Sequence, residues 1–292
     1  MEIRRAFITF AVGEDYVRLS EVLRKSIQIF SAYPLVIFGI EDFGIEYKPE
    51  SWSSGYIYIY KVLSCLKALE EFDEVVWIDN DCIVTDNIDK VWEMDLDGYP
   101  LLPRHRFQNF ERWPHVKTDY SDPDVMGKGK HRIGVSEGFD NSYLQACCML
   151  FDKGCENFLR EVLSYFEDYD SECFPYGDES IINLIRWRDR LPNSLGDVFL
   201  CSYYFSPYTL DGFISSEDSK QYEMLFDISA RTAGIDEDNT VLSHGFTLAR
   251  HNRIGLIENN FDRILFFHGS KSPELHQRYL DLMIEHRKTR YS

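Results

Sequence analysis

The chain has 292 residues, 44% of them hydrophobic and 15% aromatic, with a formal net charge of −18 at pH 7. That length supports one large core. The acidic balance excludes a general nucleic-acid binder, whose phosphate contacts need Lys and Arg, and disfavours tight attachment to anionic lipid.

Residues Ile3 to Val12 form the first strand candidate. The start of the chain, MEIRRAFITFAV, has the outline of a leader, but its apolar stretch is short, lacks a small-x-small cleavage site and meets Gly13-Glu14-Asp15 at once. Leu19, Val22, Leu23, Ile27 and Phe30 recur at helical spacing, which predicts an amphipathic helix over Asp15 to Phe30. Pro34 breaks it, and Leu35 to Ile40 is the second strand. After a loop at Gly44 to Gly55, a helix is expected over Tyr60 to Phe72, then a strand at Val75 to Ile78. Asp86 to Trp92 suggests a short helix and Tyr99 to Leu102 a short strand.

Pro103 to Asn141 holds three prolines and four glycines and is expected to be irregular. Residues 103–132 carry seven Lys or Arg against four acids, so a basic loop sits in an acidic chain. Such a loop is a candidate lid or acceptor platform. Lys128, Lys130 and Arg132 are its candidates for holding an anionic acceptor.

Leu144 to Phe151 reads as a strand, Glu156 to Phe166 and Asp178 to Trp187 as helices, Phe199 to Phe205 and Ile264 to Phe267 as strands, and Pro273 to Arg287 as a terminal helix. The basic residues after it, Arg287, Lys288 and Arg290, are the segment that would make a peripheral membrane contact, although a solvated terminus is the favoured reading. No run of 18 apolar residues exists, so no transmembrane helix is expected. The seven cysteines include no C-x-x-C pair. They fit buried thiols in a reducing, cytoplasmic setting. Strands alternating with helices predict an α/β sheet with a largely parallel core, and ligands of such sheets bind beyond the carboxyl ends of the strands.

Three places carry chemistry. In EVVWIDNDCIV a buried strand runs into Asp79 and Asp81. On an extended backbone residues i and i+2 share a side, and two carboxylates aimed at one point repel unless a cation lies between them. A hard divalent ion, with positions left for phosphate oxygens, suits them. In Gly177-Asp178-Glu179-Ser180-Ile181-Ile182-Asn183 two acids open a helix. Capping accounts for Asp178 but not for Asn183. In Phe266-Phe267-His268-Gly269-Ser270-Lys271 a strand ends in an imidazole able to ligate metal, with a lysine suited to phosphate nearby.

At these places the chain resembles the GT-A fold nucleotide-sugar glycosyltransferases, most of all family 8. The family's strand into D-x-D is matched by WIDNDCIV and its D-Q-D-x-x-N helix start by Asp178 to Asn183. Its H-x-x-G-x-x-K-P element is matched loosely by His268 to Pro273. The opening ITFAVGEDYVRLSEVLRKSIQ is similar to the family's first strand, tyrosine loop and helix. The resemblance implies one GT-A domain over 1–292, a Rossmann-like mixed, largely parallel sheet flanked by helices. Within it 1–102 is the nucleotide half, 103–141 the irregular basic loop, 142–272 the acceptor and catalytic half, and 273–292 the C-terminal helix.

The resemblance further implies that Asp79, Asp81 and His268 bind Mn²⁺ or Mg²⁺, with His244 a rival for the third ligand. Ala11, Val12 and Tyr16 would lie at the base of a UDP-sugar, with Asn80, Lys61 and Lys271 also toward the donor. Asp178 would contact sugar hydroxyls, and Glu179, standing where the family has glutamine, would sit on the reacting face as nucleophile or base. The acceptor would be a glycan, a glycolipid or another hydroxyl, with retention of configuration favoured. The lysine lies three positions after His268, a compressed spacing, and Glu274 replaces the family's aromatic. Two readings rank behind this one. In a haloacid-dehalogenase-like phosphotransferase Asp79 would be the nucleophile, but a complete β-α-β unit precedes the motif and Asn183 replaces an expected acid. The other is a nucleotide-sugar-binding protein with a decayed site, which the intact Asp79, Asp81 and His268 argue against.

Overall fold

The computed structural model describes residues 3–44, 56–84, 88–96, 98–102, 123–136, 144, 146–191, 266–268, 273, 274, 276, 277, 280, 281 and 284. The expected strand at Phe199 to Phe205, His244 and Lys271 lie outside the described residues. The chain divides into two compact units of interleaved segments. The first comprises Met1–Phe10, Leu35–Ile78 and Trp92–Gly196, and the second Ala11–Pro34, Asp79–Val91 and Asp197–Ser292.

The first unit is built on a mixed four-stranded sheet flanked by helices. Strands β1 (Arg5–Phe10), β2 (Leu35–Phe38), β3 (Glu74–Ile78) and β5 (Cys148–Asp152) lie in the order β2-β1-β3-β5. β1 is parallel to both β2 and β3, and β3 is antiparallel to β5. The centre of β1 (Ala6, Phe7, Ile8) and of β3 (Val75, Val76, Trp77, Ile78) is buried. Such apolar runs are what a strand covered on both faces requires. At the edge of that run Arg5, in register with Glu74, donates Nε to its carboxylate at 2.7 Å.

Helix α2 (Ile59–Glu71) turns Val62, Cys65, Ala68 and Leu69 into the core. Helix α4 (Glu156–Ser164) does the same with Phe158, Leu159 and Val162. The spacing of three and four residues that marks these helices in the sequence is the spacing that puts one face inward. Helix α5 (Asp178–Asp189) is buried along most of its length.

The stretch read as irregular contains helix α3, Pro123–Ile133. Pro123 occupies the first helical position, where proline costs nothing. Gly129 faces the protein, where a Cβ would come within 2.4 Å of the Cys173 carbonyl oxygen and 2.7 Å of Leu184 Cδ1. The glycine that argues against a helix by propensity is here what allows the helix to approach α5 closely. Lys128 pairs with Glu172, and Arg132 pairs with Asp168 and stands 5.1 Å over the Phe174 ring. Lys130 stands 5.4 Å over the Trp187 ring. Each of the three cations offered as an anion-binding set has an ion-pair or ring contact within the fold.

Several strands differ from expectation: β1 spans only Arg5–Phe10, and β2 ends at Phe38, with Ile40–Asp42 in a 3-10 turn. β5 begins at Cys148, because its partner β3 ends at Ile78, the residue in register with Cys148. Of Tyr99 to Leu102, Leu101 makes an isolated bridge to Leu150.

The second unit packs helix α1 (Glu14–Phe30) beside strand β4 (Cys82–Val84), which pairs antiparallel with β6 (Phe266–His268). Leu19, Val22, Leu23 and Ile27 form the buried face of α1. Ser26 ties the two elements. Its Oγ donates to the Leu23 carbonyl at 2.7 Å and accepts the Val84 N–H at 3.0 Å. Helical residues between 273 and 284 are joined to α1 by Arg18 to Glu274 and by Lys25 to Gln277 at 2.9 Å. No helix among the described residues is long and apolar enough to cross a membrane.

Candidate functional site

In the second unit, the chains leaving β1 and β3 open the segments of interest. These are neighbouring parallel strands, and their chains continue as Ala11 and Asp79. Ala11 is buried, while Val12 and Tyr16 are half-buried. Gly13 has φ +83° and caps α1, a conformation that L side chains rarely adopt.

Asp79, Asn80 and Asp81 are all half-buried. They do not continue the strand, as alternation along an extended backbone assumed. The Cys82 N–H donates to the Asp79 carbonyl at 3.0 Å, an i to i+3 bond that closes a turn. The two carboxylates therefore belong to one tight turn, and the turn delivers the chain into β4.

The β4–β6 ladder then places His268 opposite Cys82, Phe267 opposite Ile83 and Phe266 opposite Val84. A residue from far along the chain stands one register position from Asp81. Two carboxylate residues and one imidazole residue suit a divalent ion. Among the described residues no group of three or more His, Cys, Asp or Glu side chains is gathered close enough to hold a metal. The pairing of His268 is thus a statement of backbone register.

In the first unit the residues of interest surround the start of α5. Gly177 precedes it with φ +55°, and a Cβ there would lie 2.3 Å from Cδ2 of Tyr58, which is 41% exposed. Only glycine fits both the angle and the ring. Asp178 follows, 1% exposed. Its Oδ2 is 3.5 Å from Nζ of Lys61 on α2. Lys61 is itself 8% exposed, donates to the Ala146 carbonyl at 3.0 Å and stands 5.3 Å over the Trp77 ring. A buried ammonium needs such company, since desolvation of an isolated one is prohibitive.

Glu179 is half-buried, and its Oε2 accepts the Ala146 N–H at 2.8 Å. Asn183 bonds Leu144 twice. Its Nδ2 donates to the carbonyl at 2.7 Å, and its Oδ1 accepts the N–H at 2.8 Å. Asn183 Nδ2 also donates to the Glu179 carbonyl at 2.9 Å, and Oδ1 accepts from Arg186 at 3.1 Å. Arg186, unremarked in the sequence, is buried, and burial lowers its pKa to about 10. It stays cationic at neutral pH and also donates to the Leu191 carbonyl at 3.2 Å.

Two neighbours of the cluster are kept neutral. Burial raises the Cys65 thiol well above its ordinary value against the opposing pull of Lys61, and the Asp178 charge adds to the rise. Burial, then the charge of Asp178, raises the Tyr169 phenol. Neither group offers a nucleophile at neutral pH.

Of the residues singled out from sequence, the structure brings Lys61, Asp178, Glu179 and Asn183 together in the first unit. In the second it brings Asp79 and Asp81 into one turn and His268 into register beside it. Trp77, Tyr58 and Arg186 join the first cluster unannounced. The glycine directly before Asp178 is the sequence signal that something packs closely there.

No protein-family model and no curated protein matches the chain. Among solved structures it is similar to the galactosyltransferase LgtC in complex with donor and acceptor sugar analogues. That similarity has 13% identity and a TM-score of 0.45, over 90% of this chain and 86% of that one. It is also similar to a glycosyltransferase involved in glycosylation of the major capsid of PBCV-1, with 9% identity and a TM-score of 0.44 over 94% and 99% of the two chains. A third is the glycosyltransferase GlyE of Streptococcus pneumoniae TIGR4, with 15% identity and a TM-score of 0.45, over 99% of this chain and 64% of that one.

Proposed function

We propose that the chain is a metal-dependent glycosyltransferase of GT-A fold. It would move a sugar from a nucleoside-diphosphate donor, a UDP-sugar by preference, to a hydroxyl of a glycan, glycolipid or other acceptor, with retention of configuration following the resemblance. The observation that carries this reading is the β4–β6 register, which sets His268 opposite Cys82 beside the Asp79–Asp81 turn. By residue type two aspartates and a histidine suit Mn²⁺ or Mg²⁺, and Asp79, Asp81 and His268 would hold the ion. When bound, it would neutralise the charge that develops on the diphosphate leaving group.

The chain's own residues supply the rest. Ala11, Val12 and the half-buried Tyr16 follow β1 and would receive the base, with Tyr16 offering a stacking face. Asn80, in the turn, and Lys271 would lie toward the donor's phosphates. Asp178, at the start of α5, would contact the hydroxyls of the donor sugar. The six cysteines among the described residues are all free and buried, in keeping with a cytoplasmic setting.

The test is a panel of nucleotide sugars incubated with the protein and Mn²⁺ or with EDTA, read as release of nucleoside diphosphate. The reading expects slow hydrolysis of at least one UDP-sugar with metal and none with EDTA. Phosphate release from p-nitrophenyl phosphate, without turnover of any nucleotide sugar, would overturn it in favour of phosphotransfer from Asp79.

A further inference from the structure

Leu144 and Ala146 lie just before β5, at the edge of the sheet. Their backbone groups cannot be met by β3, which ends at Ile78 opposite Cys148. Buried backbone N–H and C=O groups must find partners elsewhere, and here side chains supply them. Asn183 takes both groups of Leu144. Glu179 takes the N–H of Ala146 and Lys61 its carbonyl. All four groups are bonded by residues of α2 and α5, and three of the four bonds come from the helix that Asp178 opens.

We infer that Lys61, Glu179 and Asn183 are positioning residues that fix the backbone at Leu144 and Ala146, with the Glu179 carboxylate serving as the acceptor for the Ala146 amide rather than as a nucleophile on the sugar. This rests on the glycosyl-transfer reading and refines it. A nucleophile would form an ester to the anomeric carbon through one carboxylate oxygen. Here Oε2 accepts the Ala146 N–H at 2.8 Å, and a bond of that kind stabilises the carboxylate and weakens it as a nucleophile. Lys61 likewise donates to the Ala146 carbonyl and pairs with Asp178, which makes it a support for the sugar wall.

The chemistry separates the roles. A glutamine at position 179 keeps an oxygen that accepts the Ala146 N–H but cannot form the ester. An alanine removes the acceptor and leaves a buried donor unmet, at a cost of roughly 1–3 kcal/mol. Glu179→Gln is therefore expected to keep kcat within about threefold of wild type, while Glu179→Ala loses about tenfold or more in kcat. A tenfold loss corresponds to about 1.4 kcal/mol. In both variants the Kd for UDP with Mn²⁺ should stay within about twofold, because the change falls on geometry at the sugar and not on nucleotide affinity. A drop of about a thousandfold or more in Glu179→Gln, as loss of a nucleophile gives, would overturn the inference.

Hydrogen exchange at the Ala146 amide provides a readout independent of turnover. It should be slow in wild type and in Glu179→Gln and fast in Glu179→Ala. Equal exchange in all three proteins would overturn the clamp. If wild type turned over no nucleotide sugar, the functional reading would fail, while the exchange measurement would still decide the clamp.

Discussion

Two acidic pairs in this chain look alike as sequence and differ as chemistry. Asp178 and Glu179 are met by the protein itself, Asp178 by a buried lysine and Glu179 by a backbone amide. Asp79 and Asp81 sit half-buried in a turn after a strand, with the paired strand β6 ending at His268 beside them. The first pair is part of how the fold is held. The second closes the turn that leads the chain into β4. Residue type does not separate the two pairs, and burial sets apart Asp178 alone, which is 1% exposed while Glu179, Asp79 and Asp81 are all half-buried. A carboxylate taken out of water must be answered by a donor or cation in the protein, so a buried acidic residue reports first on architecture.

The sharpest way to break the comparison is to remove the internal cation. Lys61→Met would leave Asp178 buried without its partner, and breaking such a pair from one side costs about 3–5 kcal/mol. Chemical denaturation should show that loss, and Lys61→Met combined with Asp178→Asn should recover most of it. A single variant as stable as wild type would mean the pair does not hold the fold.

Gly177→Ala comes next. The added Cβ meets the Tyr58 ring at 2.3 Å on a backbone with φ +55°. Overpacking and the left-handed angle together should cost about 2–4 kcal/mol, seen as a lowered denaturation midpoint with unchanged slope.

Gly129→Ala should cost less, about 1–3 kcal/mol. A better helix former is being added to α3, but its Cβ would lie 2.4 Å from the Cys173 carbonyl oxygen. Stabilisation by this substitution would show that α3 is not seated as described. The three predictions fall on the first unit.

How much of this was readable beforehand depended on whether the deciding interaction was local. The elements from β1 to β3 follow from apolar periodicity, since burial in this sheet and its helices obeys the spacing that the residues display. Helix α3 did not follow, because Gly127 and Gly129 count against a helix by propensity, while close packing of Gly129 on α5 decides for one. The turn at Asp79 to Cys82 was likewise hidden. It depends on a backbone bond that residue identity does not encode.

The positions of Asp178, Glu179 and Asn183 were legible as a motif. Their partners were not, since Ala146 and Leu144 contribute only backbone, and Lys61 reaches them through the fold. Arg186 had no signal beyond a charge on an apolar helix face. His268 was legible as a strand end, and its register with Cys82 is tertiary information that spacing along the chain cannot supply.

The central claim is that the Asp79–Asp81 turn holds a metal for a nucleoside diphosphate, and nucleotide binding by wild type and Asp81→Ala tests it most directly. The measurement is the shift in melting temperature with UDP, in Mn²⁺ and in EDTA, since a ligand that binds the folded state raises it by mass action. The account predicts a rise for wild type in Mn²⁺, no rise in EDTA, and no rise for Asp81→Ala in either, with the unliganded variant within about 1 kcal/mol of wild-type stability, as for a substitution away from the core. A UDP-induced rise of equal size without metal, or one retained in Asp81→Ala, would contradict it.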